Sequence, residues 1–482
     1  MKKTKIVLLL VFLILNFSKC GEWSQEDQNA QNLRYVELDS LHIAKIREKF
    51  LLQSKSQESQ ILNYNDQNQF YSVSSYNFQN GSGTFVRMEF NSFYPFNEEK
   101  EIMMEYSSES TDTGGFLMTS VACSFQIDPP ICVVNDPHSM NNYPDATISP
   151  IIGLQLSKDQ QPSRVLWRLD TKTKYDQDYP MYAKVHRNKV FLSTHQDNFY
   201  VLDLITGRVL WEIKGGEKDL WQKSTKQPVV SNSGEIVIFF HSEFNYDSQM
   251  YAYEVETGKK LWNNSFGGFK FPGGAPVISR DDSTVYFLDA DAIIRAIDTK
   301  TGKLKWKHRF ELFVPFFPHG FTPILDQLGQ NIFLILQNDS SVDRVQTVVC
   351  LSTEGDQTPQ IKWEKRLSLP ECDCEPPWLG SYSLFSELNK MILTKNNILI
   401  APRWSVCESW KQNGDVDCVF QKTSLLFIDA QTGKDRNTLT IQQGKRELAP
   451  LIDCRLKYNS NSSANELICI SDDSTIYRFT EE

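Results

Sequence analysis

Three stretches of this chain share one pattern: DLITGRVLW (Asp203 to Trp211), EVETGKKLW (Glu254 to Trp262) and DTKTGKLKW (Asp298 to Trp306). Each runs from an acid through Thr-Gly to a basic residue and ends on Trp, five positions after the Thr. A fixed internal pattern marks a repeat architecture, in which one unit cannot bury its apolar face alone and stacks on its neighbours. That constraint precedes any reading of single residues as a site.

The chemistry of one unit predicts a β-hairpin. Ala292, Ile294 and Ala296 alternate ahead of the turn, and a second short strand ends on Trp306. The acid side chain accepts hydrogen bonds from turn amides, and Gly302 supplies the positive φ required after a type I turn. Thr301 with Gly302 has counterparts in Thr206 with Gly207, Thr257 with Gly258 and, in DAQTG, Thr432 with Gly433. Upstream, APVIS (Ala275 to Ser279) and TVYFLDA (Thr284 to Ala290) read as two further strands. Four short antiparallel strands in about 45 residues make the blade of a β-propeller. The Trp supplies a large apolar area for packing blade on blade.

Trp167, Trp211, Trp262, Trp306 and Trp363 are spaced by 44, 51, 44 and 57 residues, the longer gaps being insertions such as Asn338 to Gln346. In a sixth unit Asn437 stands where the Trp belongs, and a seventh, from Leu448 to the last residues, is one strand short. A ring loses its exposed edge when the missing strand comes from the other end of the chain. TFVRMEF (Thr84 to Phe90) and KEIMMEY (Lys100 to Tyr106) alternate as such a strand must. The expectation is an all-β propeller over residues 68–482, with four-stranded antiparallel blades. Seven blades are favoured, eight being the alternative if residues 68–115 form a blade of their own.

Blades carrying D-x-x-T-G-x-x-x-W resemble the pyrroloquinoline-quinone-like repeat superfamily, also called quinoprotein alcohol dehydrogenase-like. Its members include quinoprotein dehydrogenases, a bacterial outer-membrane assembly scaffold and lumenal domains of unfolded-protein sensors. The resemblance covers residues 116–480 and implies the fold, while one fold hosts many functions.

Lys2, Lys3 and Lys5 precede an apolar run from Ile6 to Phe17 that is too short to span a bilayer, with Ser18 and Cys20 before Gly21. Residues 1–20 read as a secretory signal peptide, and the protein is expected to be secreted or lumenal, without a transmembrane segment. Residues 21–67 form a polar leader rich in Gln, Asn, Ser and charge. Within it, Asp39 to Leu52 offers an N-cap and apolar residues at helical spacing, so a short helix on the rim, or a disordered leader, is expected.

Cysteine usage suits that compartment. Aligning Val121 to Asp136 with Leu451 to Asp473 superimposes Cys123 on Cys454 and Cys132 on Cys469, each pair on neighbouring strands. This predicts disulfides Cys123–Cys132 and Cys454–Cys469. Cys407 and Cys418 flank an insertion and form a third candidate pair; Cys350, Cys372 and Cys374 remain. Sequons at Asn80, Asn263, Asn338 and Asn461 are candidate glycosylation sites, the last three expected in loops or turns.

Catalytic signals are thin. His42, His138, His186, His195, His241, His308 and His319 show no metal-ligand spacing. His241, Glu243 and Asp247 share one insertion that reads as a solvated loop, and Asp289 with Asp291 reads as an ordinary turn pair. The quinoprotein resemblance implies two adjacent bridged cysteines, a calcium held by Glu, Asn and Asp, and an axial Asp base. Here Cys372 and Cys374 are separated by Asp373. No cofactor and no metal is expected. The net charge of −10 argues against nucleic acid as partner. The favoured reading is a non-catalytic, monomeric scaffold that binds a protein or peptide through the insertions 338–346, 404–420 and 455–465. Part of Phe310 to Phe321 is a further candidate edge, and a quinoprotein dehydrogenase is the alternative.

Overall fold

Within each repeat unit, consecutive strands pair antiparallel, as short alternating runs joined by tight turns must. In the computed structural model the described residues build eight four-stranded units, at residues 58–110, 121–169, 180–213, 229–265, 277–309, 324–366, 392–444 and 451–481. These are blades 1 to 8 of a β-propeller. The description covers strands and tight turns between Tyr35 and Glu481, backbone alone before Ala122. Residues 1–34, 111–120, 136–150, 157–163, 170–179, 215–227, 266–274, 311–321, 368–380, 445–450 and several shorter connections lie outside it. Among the described residues there is no helix.

Two expectations change. The unit count is the eight-blade alternative, because Thr84–Phe90 and Lys100–Tyr106 belong to a four-stranded unit of their own at residues 58–110. The fourth strand of blade 8 comes instead from Ile43–Leu51, which pairs antiparallel with Thr475–Glu481, Phe50 opposite Ile476 and Ile46 opposite Phe479. This is the stretch expected as a helix. The unpaired edge of the last blade offers it a full ladder of hydrogen bonds, which outweighs a moderate helical preference. The sheets thus reach further towards the N-terminus than residue 68.

First strands of successive blades lie side by side, Val229–Val230 by Val277–Ile278 and Val121–Ser124 by Pro180–His186. The first strand of blade 1 likewise lies beside that of blade 8. First strands therefore face the axis, and fourth strands form the outer wall. The core lies between blades. Blades 3 and 4 meet through Phe199 stacked on Phe239 at 4.2 Å, and blades 4 and 5 through Phe240 edge-on to Phe287 at 4.9 Å. All four rings are buried.

Because strands alternate in direction, turns joining strands one to two and three to four share one face, and those joining two to three lie on the other. That rule separates the three insertions. Asn331–Asp339 pairs with Asp343–Ser352 to its end, so the first insertion is a lengthened hairpin and Asn338 lies in a strand rather than a loop. Ile398–Trp410 and Val416–Asp429 do the same around residues 411–415. Leu451–Lys457 and Glu466–Ser471, strands one and two of blade 8, flank the third insertion, and their connected ends lie on the opposite face.

A strand at Ser381–Leu388 breaks the ring's regularity. It pairs in parallel with Asp343–Val345 of blade 6 and antiparallel with Arg403–Trp410 of blade 7. The two blades become one ten-stranded sheet on the face of the lengthened hairpins.

Candidate functional site

The recurring residues of the repeat form a girdle between blades. In blade 3, Asp203 accepts hydrogen bonds from the Thr206 amide (2.8 Å) and hydroxyl (2.7 Å), and the Gly207 amide donates to the Asp203 carbonyl at 2.9 Å. Asp298 with Thr301, and Asp429 with Thr432, repeat this arrangement, and in blade 4 the Thr257 hydroxyl donates to Glu254. Burial raises the Asp298 carboxyl, but the Thr301 hydroxyl and amide more than offset it, holding the group below the usual carboxylate range.

Each such turn seats the Trp of the preceding blade. Trp167 donates to the Leu204 carbonyl (2.8 Å), Trp211 to Val255 (2.7 Å), Trp262 to Thr299 (2.8 Å) and Trp363 to Ala430 (2.9 Å). The turn Gly lies flat against the indole: a Cβ on Gly302, whose φ is +72°, would stand 2.7 Å from Trp262. Gly207, Gly258 and Gly433 meet Trp167, Trp211 and Trp363 in the same way. Trp306 is buried, and residues 354–357, between the third and fourth strands of blade 6, lie outside the described residues. Asn437 is exposed; Leu439 and Ile441 pack instead against the core shared by blades 7 and 8.

Disulfides Cys123–Cys132 and Cys454–Cys469 join first to second strands in blades 2 and 8. Cys407 and Cys418 lie on the paired hairpin strands of blade 7, opposite Phe420 and Ser409, and their side chains lie outside the described residues, as do Cys372 and Cys374. Cys350 is free and buried, and burial pushes its thiol up to about 12, far from a reactive thiolate. Asn263 is exposed on the outer strand of blade 4, Asn80 ends a strand of blade 1, and Asn461 lies outside the described residues.

A second interlock joins turns near the axis. Asp282, at a positive φ of 59°, accepts the amides of Asn232 (2.6 Å) and Ser233 (2.9 Å) from the preceding blade. Gly234 of that same turn lies against His186 and Arg187 of blade 3. Burial, then the charges of Arg187 and Lys184, lower His186 to about 4, so it is neutral at physiological pH.

Sequence reasoning missed the buried ion pair of blade 5. Asp289 Oδ2 lies 2.6 Å from Arg295 with both side chains buried, and Asp289 Oδ1 caps the amides of Asp291 (3.0 Å) and Ile293 (2.9 Å). Burial raises its carboxyl despite the Arg. An Arg inside the apolar run AIIRAI was the available signal. Of the acidic insertion, His241 ends a strand while Glu243 and Asp247 lie outside the described residues. His42, His138, His195 and His319 carry no described side chain either.

The described first strands differ in character from blade to blade, and that of blade 3, Pro180–His186, carries the buried Lys184 and the half-buried His186. The axial strands of blades 4, 5 and 6 are Val229–Val230, Val277–Ile278 and Ile324–Leu325, apolar and fully buried. No group of three His, Cys, Asp or Glu side chains able to hold a metal occurs among the described residues.

Residues 158–312 match the family described as outer membrane protein assembly factor BamB. No curated protein sequence matches the chain. Among solved structures, BamB from Moraxella catarrhalis is 14% identical with a TM-score of 0.49, over 90% of this chain and 97% of that one. A europium-containing methanol dehydrogenase is 10% identical with a TM-score of 0.54, over 93% and 89% respectively. In all, 1033 solved chains match, so the fold alone selects no function. The matched stretch holds three of the acid-x-x-Thr-Gly turns seated on Trp, and the fold is shared along the whole ring. Residues 158–312 thus match the BamB family, and the chain as a whole shares the β-propeller fold.

Proposed function

We propose that this propeller is a non-catalytic scaffold, secreted or in a secretory lumen, that binds a protein partner on the face carrying the lengthened hairpins of blades 6 and 7. One observation carries the reading: Ser381–Leu388 hydrogen-bonds both hairpins into a single sheet, which fixes a broad backbone surface where an ordinary ring would have separate loops. Rigid display of hairpins suits recognition, since a preorganised surface loses less entropy on binding. The axial strands of blades 4, 5 and 6 are apolar and offer no acid, base or metal ligand there. The match to an outer membrane assembly factor family supports a protein-binding role, and two disulfides are compatible with an extracytoplasmic site.

The test is cross-linking of the full chain in the fluid it is secreted into, followed by peptide mapping. The expected result is cross-links from one partner concentrated on residues 338–346 and 404–420, lost when residues 411–415 are shortened to a two-residue turn. Cross-links confined to the opposite face, or unchanged by the shortening, would overturn the assignment.

A further inference from the structure

The outer wall of this acidic protein is basic. The fourth strands of blades 2 to 7 hold 10 Lys and Arg against 3 acids, Glu212, Glu364 and Asp435, and with the adjoining Arg208, Lys214, Lys259, Lys303 and Lys434 the basic residues number 15. The whole chain has 50 against 60. Lys305 and Lys365 are half-buried and the other 13 are exposed. The concentration is greatest on blades 5 and 6, with Lys303, Lys307, Arg309, Lys362 and Arg366 exposed.

Fourth strands are open sheet edges, and charge on an edge blunts unwanted pairing. Edge protection works with either sign. The fourth strand of blade 1, Glu99–Ser110, has Glu99, Glu101, Glu105 and Glu109 against a single Lys100. The sign choice on blades 2 to 7 therefore needs a second reason. The walls of neighbouring blades are also continuous: Glu364 of blade 6 acts on the charge of His308 in blade 5, and Lys365 pairs with Asp435 of blade 7 at 2.8 Å. The positive surface thus passes from blade to blade.

We propose that the outer wall of blades 5 and 6 binds a linear polyanion, specifically a sulfated or carboxylated polysaccharide. A convex wall suits a flexible chain that bends around it, whereas a flat bilayer meets it along a narrow line. Lys307 and Arg309 stand two residues apart on one side of a strand, about 7 Å, a spacing a chain of repeating charges can follow. The disulfides fit an oxidising setting, in which anionic glycans are the common linear polyanions. This wall lies apart from the hairpin face, so the inference stands or falls independently of the protein-binding reading.

The experiment uses the full chain on immobilised heparin. Its pI of 5.4 gives no reason for retention unless the charge is local. Expected is retention at 0.15 M NaCl, release at higher salt, and a loss of affinity of about tenfold or more in Lys307→Glu/Arg309→Glu/Lys362→Glu with unchanged thermal unfolding. If that triple variant misfolds, Lys307→Gln/Arg309→Gln is expected to show a smaller loss in the same direction. Flow-through of the unmodified chain, or equal retention of the variants, overturns the proposal. Equal or tighter binding to duplex DNA or to phosphatidylserine vesicles overturns the assignment to polysaccharide.

Discussion

The indole Nε1 of Trp262 donates a 2.8 Å hydrogen bond to the carbonyl oxygen of Thr299, 37 residues later and one blade further round the ring. The bond ties the outer strand of one blade to the turn of the next. Because Gly302 packs flat on the same indole, the hydrogen bond and the turn geometry are one feature. A Cβ at Gly302 would both strain a left-handed residue and strike the ring. Gly302→Ala is expected to cost more than about 2 kcal/mol and Trp262→Phe about 1–3 kcal/mol. Both are measured as thermal or urea unfolding, and a Gly302→Ala chain as stable as the parent would contradict the docking account.

Asp289 and Arg295 make the second test. Removing one partner of a buried pair leaves an uncompensated charge, so Asp289→Asn is expected to destabilise by about 3–5 kcal/mol. Replacing both, as Asp289→Leu/Arg295→Met, is expected to recover part of that loss, although the capped amides of Asp291 and Ile293 stay without their acceptor. A double variant less stable than Asp289→Asn would show that the carboxylate acts as a cap and that its pairing is secondary.

Cys454–Cys469 staples the blade that receives its last strand from Ile43–Leu51. Closing a loop of 15 residues contributes about 3 kcal/mol by restricting the unfolded chain. Cys454→Ala/Cys469→Ala is therefore expected to lower the unfolding midpoint. Hydrogen exchange is expected to rise first at residues 43–51 and 475–481. Exchange rising uniformly around the ring would contradict closure through that blade.

His186 predicts an acid response. Its folded-state value, about 4, is below the ordinary 6.5, so the folded protein binds the proton less readily than the unfolded chain. Its contribution to stability is fully present above pH 6.5 and is lost as pH falls towards 4. Facing it are Arg187, Lys184 and Lys189, which oppose protonation, and Asp282, which favours it. His186→Gln is expected to flatten the fall in melting temperature between pH 6.5 and 4.5, read by scanning calorimetry. An unchanged slope would remove His186 as the cause.

The Thr-Gly-to-Trp interval made the blade legible in the sequence, because it encodes a turn and a packing partner together. The disulfides of blades 2 and 8 were legible because aligned units place both cysteines on adjacent strands. Ile43–Leu51 was not, since IAKIREKFL carries apolar residues at spacings that suit a helix as well as an edge strand, and only the open ladder of the last blade decides. The bridge at Ser381–Leu388 was equally hidden, being a strand whose partners are hairpin extensions with no repeat signature. The basic wall escaped a search for contiguous charge, because its residues are spread two to four per blade and become neighbours only in the ring.

The central claim is that this quinoprotein-like ring serves as a binding platform without quinone chemistry. The direct measurement is reconstitution of the purified full chain with pyrroloquinoline quinone and calcium, following quinone absorbance after desalting and dye-linked oxidation of alcohols and aldose sugars. The account predicts no retained quinone and no turnover. Stoichiometric retention with turnover would contradict it.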